Sequence, residues 1–316
     1  MYRPEIDGLR ALAVLAVIVC HFDPDLLPNG HLGVDIFFVI SGFVITQSLV
    51  SRNHETLKSF LSQFYARRAK RLLPALVFCV AVTFLIFLLL VNPESSQASS
   101  YKRTAIAALF GVSTMYLLGQ AMDYFGSSAL LNPFTHTWSL GVEEQFYLLC
   151  PLLIWFSGYA QNKVGGERRF AWLITVTGVL SFLLYIWLSR TGPVHAFYLM
   201  PARFWELAVG AAAYVIYLRL QGVDAPSLSR SGSSASFMLV LLIATLFLSS
   251  AFHELALVAV VLFTAILIVV IKQGSLAYKL LTASPVVFIG VISYSLYLWH
   301  WSVITLSRWT VGISSS

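Results

Sequence analysis

Two ionisable residues, Arg10 and His21, lie in the first apolar run of the sequence, eleven positions apart. At about 100° and 1.5 Å per residue of an α-helix, this spacing puts both side chains within about 20° of one face and about 16 Å apart along the axis. A guanidinium binds anions, and an imidazole can act as a general base near neutral pH. The pair therefore favours chemistry that connects two aqueous compartments. The alternative is that Arg10 reaches the lipid headgroups and His21 caps the helix.

Further ionisable side chains lie in or at the edge of other apolar runs: Asp35, Glu143, Glu144, Arg203, Glu206 and His300. An unpaired charge at the centre of a bilayer costs upwards of about 2.5 kcal/mol, so we expect these groups to pair around a polar cavity. Glu143 and Glu144 point about 100° apart on a helix, so we expect one of them to be the functional acid. A carboxylate beside an imidazole fixes its tautomer and stabilises the imidazolium. His21 with Asp35 or Glu143 fits this arrangement.

A basic stretch contains Arg67 and Arg71, four positions apart. If the stretch is helical, both guanidinium groups lie on one face and can bind phosphates. A cytoplasmic anchor that sets membrane topology explains the same charges equally well. The sequence contains no cysteine metal motif, Gly-x-Ser-x-Gly segment or His-x-x-x-His pair. It therefore favours neither a standard hydrolase nor a zinc enzyme, predicts no metal ligand set, and leaves direct group transfer as the simplest chemistry.

These residues must be positioned by elements inside a membrane. The 316 residues are 58% hydrophobic and 11% charged, with a mean hydropathy of +0.80, whereas a soluble domain carries roughly 25% charged residues. A chain of this length cannot hide so much apolar surface in one soluble core. The formal charge of +6 comes from basic residues in short gaps between apolar runs, which is typical of cytoplasmic loops rather than of nucleic-acid binding. The sequence predicts an all-α, polytopic transmembrane helical bundle.

About ten hydrophobic segments are candidate spans, since crossing takes about 20 residues. They fall near 8–22, 33–50, 72–91, 104–120, 139–157, 170–189, 202–219, 236–251, 255–272 and 285–307. The first, fourth and eighth are short, so each of these could be tilted, broken or re-entrant rather than a clean crossing. We expect the first to remain as a span rather than to be cleaved as a signal peptide.

The gap 51–71, which includes Arg52, is rich in Lys and Arg and is predicted to be cytoplasmic. If every later apolar segment crossed the membrane in turn, later gaps that contain Lys and Arg would lie outside the cytoplasm, against the preference of these residues for cytoplasmic loops. We therefore predict one non-crossing segment between 92 and 138. Residues 222–236 are the most linker-like segment, yet too short to separate two folding units. We therefore expect residues 1–316 to form a single transmembrane domain.

Several motifs resemble, in order, those of the acyltransferase-3 family of membrane-bound O-acyltransferases. They are RPEIDGLRALA (3–13) with His21, GVDIFFVISGF (33–43), RRAKRLLP (67–74), HTWSLGVEEQFY (136–147), RFWE (203–206) and SYSLYLWHW (293–301). The resemblance covers nearly the whole chain. It implies an acyltransferase of the inner (plasma) membrane that moves an acyl group, commonly acetyl from acetyl-CoA, to a hydroxyl of a cell-envelope polysaccharide. The acceptor would be lipopolysaccharide O-antigen, exopolysaccharide or peptidoglycan.

The same resemblance implies roles for individual residues. His21 is the catalytic base or acyl relay, and Arg10 positions the donor. Arg67 and Arg71 lie near the coenzyme A phosphates. Asp35 and Glu143 belong to family motifs and are candidate catalytic residues without an assigned step. Acetyl-CoA is a donor substrate rather than a permanently bound cofactor, and the expected partners are membrane lipid and an envelope glycan, with no nucleic acid.

Many members of that family continue into a further hydrophobic span, and some carry an extracytoplasmic esterase-like domain. Because this chain stops at Ser316, we expect a C-terminal truncation, no fused domain, and a separate extracytoplasmic partner protein for any second transfer. The rival function is a transporter or flippase for an envelope precursor, in which the same buried charges line a path.

Overall fold

The computed structural model describes residues 2–51, 56–90, 96–122, 131–221 and 232–311, and within these ranges all regular secondary structure is helical. The prediction of an all-α protein is confirmed. The helices are α1 (Pro4–Phe22), α2 (Gly33–Val50), α3 (Leu57–Leu90), α4 (Ser96–Leu109), α5 (Ser113–Met122), α6 (Trp138–Ser157), α7 (Gly166–Thr191), α8 (Pro193–Tyr198), α9 (Met200–Gln221), α10 (Gly232–Leu246), α11 (His253–Val270), α12 (Leu276–Leu281), α13 (Ser284–Val291) and α14 (Ser293–Val311).

Each of the ten predicted segments coincides with part or all of a helix. Among the described residues, four stretches are long and apolar enough to cross a membrane, namely Gly30–Val50, Leu57–Leu90, Gly166–Thr191 and Ser250–Val270. Ser284–Val291 and Ser293–Thr310 would form a fifth span, bent by 67°. The chain is a multi-pass membrane protein.

The third predicted segment begins earlier than expected. Helix α3 has 34 residues and begins at Leu57, not near 72, because the basic stretch before the apolar run continues the same helix. Arg and Lys are good helix formers. The expected helical relation between Arg67 and Arg71 is therefore present, while Arg52 lies outside the described residues.

The predicted segment 104–120 is two helices, α4 and α5, which have 14 and 10 residues. Between them the chain turns at Gly111, whose φ of +70° lies in the left-handed region that favours glycine. Residues 91–95 and 123–130 lie outside the described ranges. That one segment between 92 and 138 fails to cross the membrane stays a prediction. Residues 222–231 of the predicted linker also lie outside these ranges, and α10 begins at Gly232, within the rest of it.

The chain groups into two compact units. The first unit comprises Met1–Val50, Glu167–Gly178 and Glu206–Leu296, and the second comprises Ser51–Gly166, Val179–Trp205 and Tyr297–Ser316.

Glycines bring helices of the first unit into backbone contact. A Cβ added to Gly42 of α2 would overlap the carbonyl oxygen of Leu207 on α9, and a Cβ added to Gly210 of α9 would overlap the carbonyl oxygen of Val39 on α2. The crossing is reciprocal, since each helix supplies the glycine that admits the other's backbone. Small residues serve this purpose in membrane proteins, where lipid provides no hydrophobic force between helices.

A second close approach in this unit involves α1. Gly8 of α1 faces the carbonyl oxygen of Leu281 on α12, and Gly290 of α13 faces the carbonyl oxygen of Asp7 on α1. The amino-terminal turns of α1 are thereby fixed against the segment that contains α12 and α13.

Hydrogen bonds attach α14 to the segment before α6 in the second unit. The Tyr297 hydroxyl donates to the His136 carbonyl oxygen at 3.0 Å and lies 2.6 Å from the Ser139 hydroxyl. Trp301 Nε1 donates to the Asn132 carbonyl oxygen at 2.9 Å, and Ser302 Oγ donates to the Pro133 carbonyl oxygen at 3.1 Å. All the side chains that donate here are buried.

Replacing Tyr297 with phenylalanine should lower the stability of the purified protein by about 1–3 kcal/mol, because the His136 carbonyl loses a buried donor. Thermal unfolding in detergent measures the change. Tyr278→Phe, at a half-exposed tyrosine of α12, is the matched control and should unfold as the wild type does. Equal melting of both variants would contradict the structural importance of this contact.

Candidate functional site

Arg10 and His21 both lie on helix α1, which is unbroken from Pro4 to Phe22. Arg10 lies three turns before His21, and both side chains are half-buried. The helix therefore provides the continuous geometry on which the shared face and the axial separation of about 16 Å depend.

Arg10 is held by a buried carboxylate. Its Nη1 donates to Asp7 Oδ1 at 2.5 Å, and Asp7 Oδ2 accepts a hydrogen bond from the Tyr2 hydroxyl at 2.7 Å. The three-residue spacing of Asp7 and Arg10 places them on one side of α1. Sequence reasoning missed Asp7, although this spacing was visible.

The carboxyl end of α1, where His21 lies, is next to a pair of histidines. Cys20 Sγ is 3.9 Å from His31 Nδ1, and His31 Nε2 is 3.2 Å from His253 Nδ1. The two imidazole rings stack with centroids 5.0 Å apart. These contacts tie the start of α11 to the short 3-10 helix Gly30–Leu32 before α2.

Asp35 lies in the first turn of α2 and is 2% exposed. A carboxylate is stabilised there by the positive end of the helix dipole. Asp35 belongs to the first unit with His21 and Arg10, whereas Glu143 belongs to the second. That either carboxylate orients His21 stays a prediction.

In the second unit, Glu143 lies in a cluster of side chains where α3 meets α6. The Tyr147 hydroxyl donates to Glu143 Oε2 at 2.7 Å, and the Tyr65 hydroxyl donates to the Tyr147 carbonyl oxygen at 3.0 Å. The Arg68 guanidinium carbon lies 5.6 Å from the Tyr147 ring centroid and 5.7 Å from that of Phe64. Sequence reasoning missed Arg68 and Tyr147 as members of this cluster.

The predicted arginine pair is uneven in exposure. Arg67 is half-buried and Arg71 is exposed, although both lie on α3. Arg67 is therefore closer to the protein interior, and Arg71 is open to an approaching anion.

The two adjacent glutamates have different surroundings, as their helical offset predicts. Glu143 accepts the Tyr147 hydrogen bond, whereas the side-chain carbons of Glu144 lie beside Gly111, near enough for an added Cβ to come within 3.1 Å of Cγ. Glu143 is therefore the glutamate that accepts a hydrogen bond from Tyr147.

Two other ionisable residues from the apolar runs, Arg203 and His300, are buried in the second unit. Arg203 is 5% exposed, with its guanidinium carbon 5.5 Å from the Trp138 ring centroid. His300 Nδ1 lies 2.6 Å from the Tyr297 carbonyl oxygen. A carbonyl can only accept, so Nδ1 carries a hydrogen.

Comparison with known proteins gives the class of the chain. Residues 3–314 match the sequence model of the acyltransferase-3 family, which is described as an acyltransferase domain. The chain belongs to this family, as its motifs predicted, and the assignment to the acyltransferases is confirmed.

Curated relatives narrow the comparison. The chain is 36% identical to O-acetyltransferase OatA of Staphylococcus aureus over 321 residues, covering 96% of this chain and 51% of the relative. It is 33% identical to peptidoglycan O-acetyltransferase OatA of Listeria monocytogenes over 318 residues, covering 97% and 50%. A putative O-acetyltransferase of Staphylococcus aureus is 31% identical over 313 residues, covering 96% and 51%. The chain spans about half the length of these relatives, and no solved structure matches it.

Proposed function

We propose that this chain is a membrane O-acetyltransferase that moves an acetyl group from acetyl-CoA to a hydroxyl of peptidoglycan. The observation that carries the proposal is the family match over residues 3–314 together with relatives named O-acetyltransferases. Among the three envelope polysaccharides that the motifs left open, the name of the Listeria relative favours peptidoglycan. An enzyme in the inner (plasma) membrane would have access to a thioester donor on the cytoplasmic side and to an acceptor in the envelope.

The basic residues suit the donor. Coenzyme A carries phosphates, and guanidinium groups bind phosphate through charge-assisted hydrogen bonds. In this proposal Arg10, Arg67 and Arg71 hold the donor. Arg71 is exposed and half-buried Arg67 lies one turn away on the same helix, so the two can bind one anionic group together.

His21 performs the transfer by one of two routes. As a general base, its imidazole takes the acceptor hydroxyl proton while the oxygen bonds to the thioester carbonyl carbon. The C–S bond then breaks, and the proton passes to the thiolate leaving group. As a relay, an imidazole nitrogen bonds to the acetyl carbonyl carbon while the C–S bond breaks, and the thiolate takes up the proton that the imidazole loses. The acceptor oxygen then bonds to the same carbon, the N–C bond breaks, and the hydroxyl proton returns to the imidazole. Asp35 or Glu143 would stabilise the imidazolium in the first route.

The decisive measurement uses the full chain in lipid nanodiscs with acetyl-CoA and peptidoglycan fragments. Release of free thiol, with the mass increment of an acetyl group on the glycan, supports the proposal. Movement of an envelope precursor across liposomes without thiol release would instead support the transporter. If the second transfer needs a separate extracytoplasmic partner protein, acetylation of the glycan will depend on adding that partner.

Replacing Arg67 with glutamine should raise KM for acetyl-CoA by about 10- to 100-fold, because one charge-assisted hydrogen bond to phosphate is lost. Steady-state kinetics at saturating acceptor measures this change. Lys70→Gln, at an exposed cation on the same helix, is the matched control. An equal rise in KM for both variants would indicate general attraction rather than a specific contact.

A further inference from the structure

We propose that Asp7 is a positioning residue for Arg10, fixing the guanidinium in the orientation that receives the anionic part of the acyl donor. This inference rests on the proposed function, because it assumes that Arg10 binds that donor. The observation that carries it is a buried carboxylate whose two oxygens are both occupied, one of them by Arg10.

The contacts define a short chain of three side chains. Arg10 Nη1 donates to Asp7 Oδ1 at 2.5 Å, and the Tyr2 hydroxyl donates to Asp7 Oδ2 at 2.7 Å. The Asp7 side chain is 7% exposed, whereas that of Arg10 is 17% exposed. The carboxylate is therefore the inner partner, and the guanidinium is the one with more access to its surroundings.

The backbone of Asp7 is fixed independently of these hydrogen bonds. Gly290 of α13 packs against the Asp7 carbonyl oxygen, and the adjacent Gly8 packs against the Leu281 carbonyl oxygen. A side chain that starts from an immobile backbone and accepts two hydrogen bonds keeps a single orientation. Arg10 thus loses less conformational freedom when it binds an anion than an unrestrained arginine would.

Tyr2 stabilises the carboxylate of Asp7 through its second oxygen, Oδ2. The hydrogen bond to Asp7 raises the pKa of the Tyr2 phenol, so the phenol stays protonated and remains a donor near neutral pH. Tyr2 is 69% exposed. Its hydroxyl can therefore be removed without disturbing buried packing.

The neighbouring ion pair of Arg3 and Glu5 differs from the Arg10–Asp7 pair in its burial and in its contacts. Arg3 Nε donates to Glu5 Oε1 at 2.7 Å, Arg3 Nη2 donates to the Ile268 carbonyl oxygen at 2.7 Å, and the guanidinium carbon lies 4.5 Å from the Tyr217 ring centroid. Both side chains of this pair are more than nine-tenths buried. Arg3 is used to hold α1 against α11 and α9, so the Arg3–Glu5 pair is structural and serves as a control for the Arg10–Asp7 pair.

The test compares Asp7→Asn, Tyr2→Phe and Glu5→Gln in nanodiscs, with binding of acetyl-CoA and of coenzyme A measured beside thermal unfolding. Asp7→Asn should raise the Kd for acetyl-CoA about tenfold, the loss expected for one charge-assisted hydrogen bond. Tyr2→Phe should raise it about two- to threefold with unchanged melting, since Arg10 keeps its own hydrogen bond to Asp7 and loses only the support that Tyr2 gives to the carboxylate. Glu5→Gln should melt at lower temperature and bind donor as the wild type does.

A double variant separates positioning from mere stability. If Asp7 acts through Arg10, Arg10→Gln with Asp7→Asn should bind donor no more weakly than Arg10→Gln alone. Additive losses, or an unchanged Kd in both Asp7→Asn and Tyr2→Phe, would overturn the assignment while leaving the proposed function intact. A wild-type protein that binds neither acetyl-CoA nor coenzyme A would overturn the proposed function and this inference with it.

Discussion

Replacing His21 with alanine should abolish acetyl transfer while the variant still inserts and accumulates. General acid–base catalysis by one side chain contributes about 10²- to 10⁴-fold, so we expect kcat to fall at least about a thousandfold if His21 also carries the acetyl group. His21 is half-buried in the last turn of α1, where loss of the ring removes little packing. Thiol release from acetyl-CoA in the presence of acceptor measures the effect.

The control for this variant is His195→Ala, at a half-buried histidine of the short helix α8, which should keep wild-type turnover. Trapping and mass analysis of His21 after mixing with acetyl-CoA alone then distinguishes the two routes. An acetylated peptide supports the relay, and its absence with normal turnover supports the general base. Normal acylation of glycan by His21→Ala would refute both.

The second large effect concerns the glycines at the crossing of α2 and α9. Gly42→Ala and Gly210→Ala should each lower the stability of the purified protein by about 2–3 kcal/mol, because each new methyl group would overlap a backbone oxygen of the facing helix. Thermal or chemical unfolding in detergent measures the loss. Gly42→Leu, with a larger side chain at the same place, should prevent accumulation of folded protein.

Gly119 offers a matched control within α5. No atom lies within 4 Å of a Cβ added there, so Gly119→Ala should be neutral or stabilising by up to about 1 kcal/mol, the helix propensity difference. In the double variant Gly42→Ala with Gly210→Ala, the losses should be less than additive, because the first methyl group already separates the helices. Wild-type melting of Gly42→Ala would contradict the close crossing.

Much of the fold could be predicted because a bilayer allows few solutions. A stretch of apolar residues that must satisfy its own backbone hydrogen bonds becomes a helix, and all ten predicted segments coincide with helices. The start of α3 at Leu57 was missed because hydropathy falls at Arg67–Arg71, whereas helical propensity does not. That the fourth segment could be broken was indicated by its short length, but the position of the break at Gly111 was not, because a single glycine inside an apolar run does not by itself indicate a turn.

Some residues of the candidate site could likewise be predicted from the sequence, and others could not. Arg10, His21, Asp35, Glu143, Arg67 and Arg71 could be selected because a charge in an apolar run is costly, and the family motifs then suggested roles, which stay predictions. Asp7 lay in the first turn of α1 and looked like an ordinary acidic residue near a helix start. Arg68 and Tyr147 are 79 positions apart, so only tertiary packing could reveal their contact.

The contacts of Arg3 and Asp7 bear on how the protein is made. Helix α1 is synthesised before α11 and α13, yet Arg3 bonds to Ile268, and Asp7 packs against Gly290. At about 5–20 residues per second, ribosomes need on the order of tens of seconds to produce these partners. During that interval Glu5, only two positions away from Arg3, can already neutralise its charge. The Arg3–Glu5 ion pair can thus offset the Arg3 charge until α11 and α13 have been synthesised.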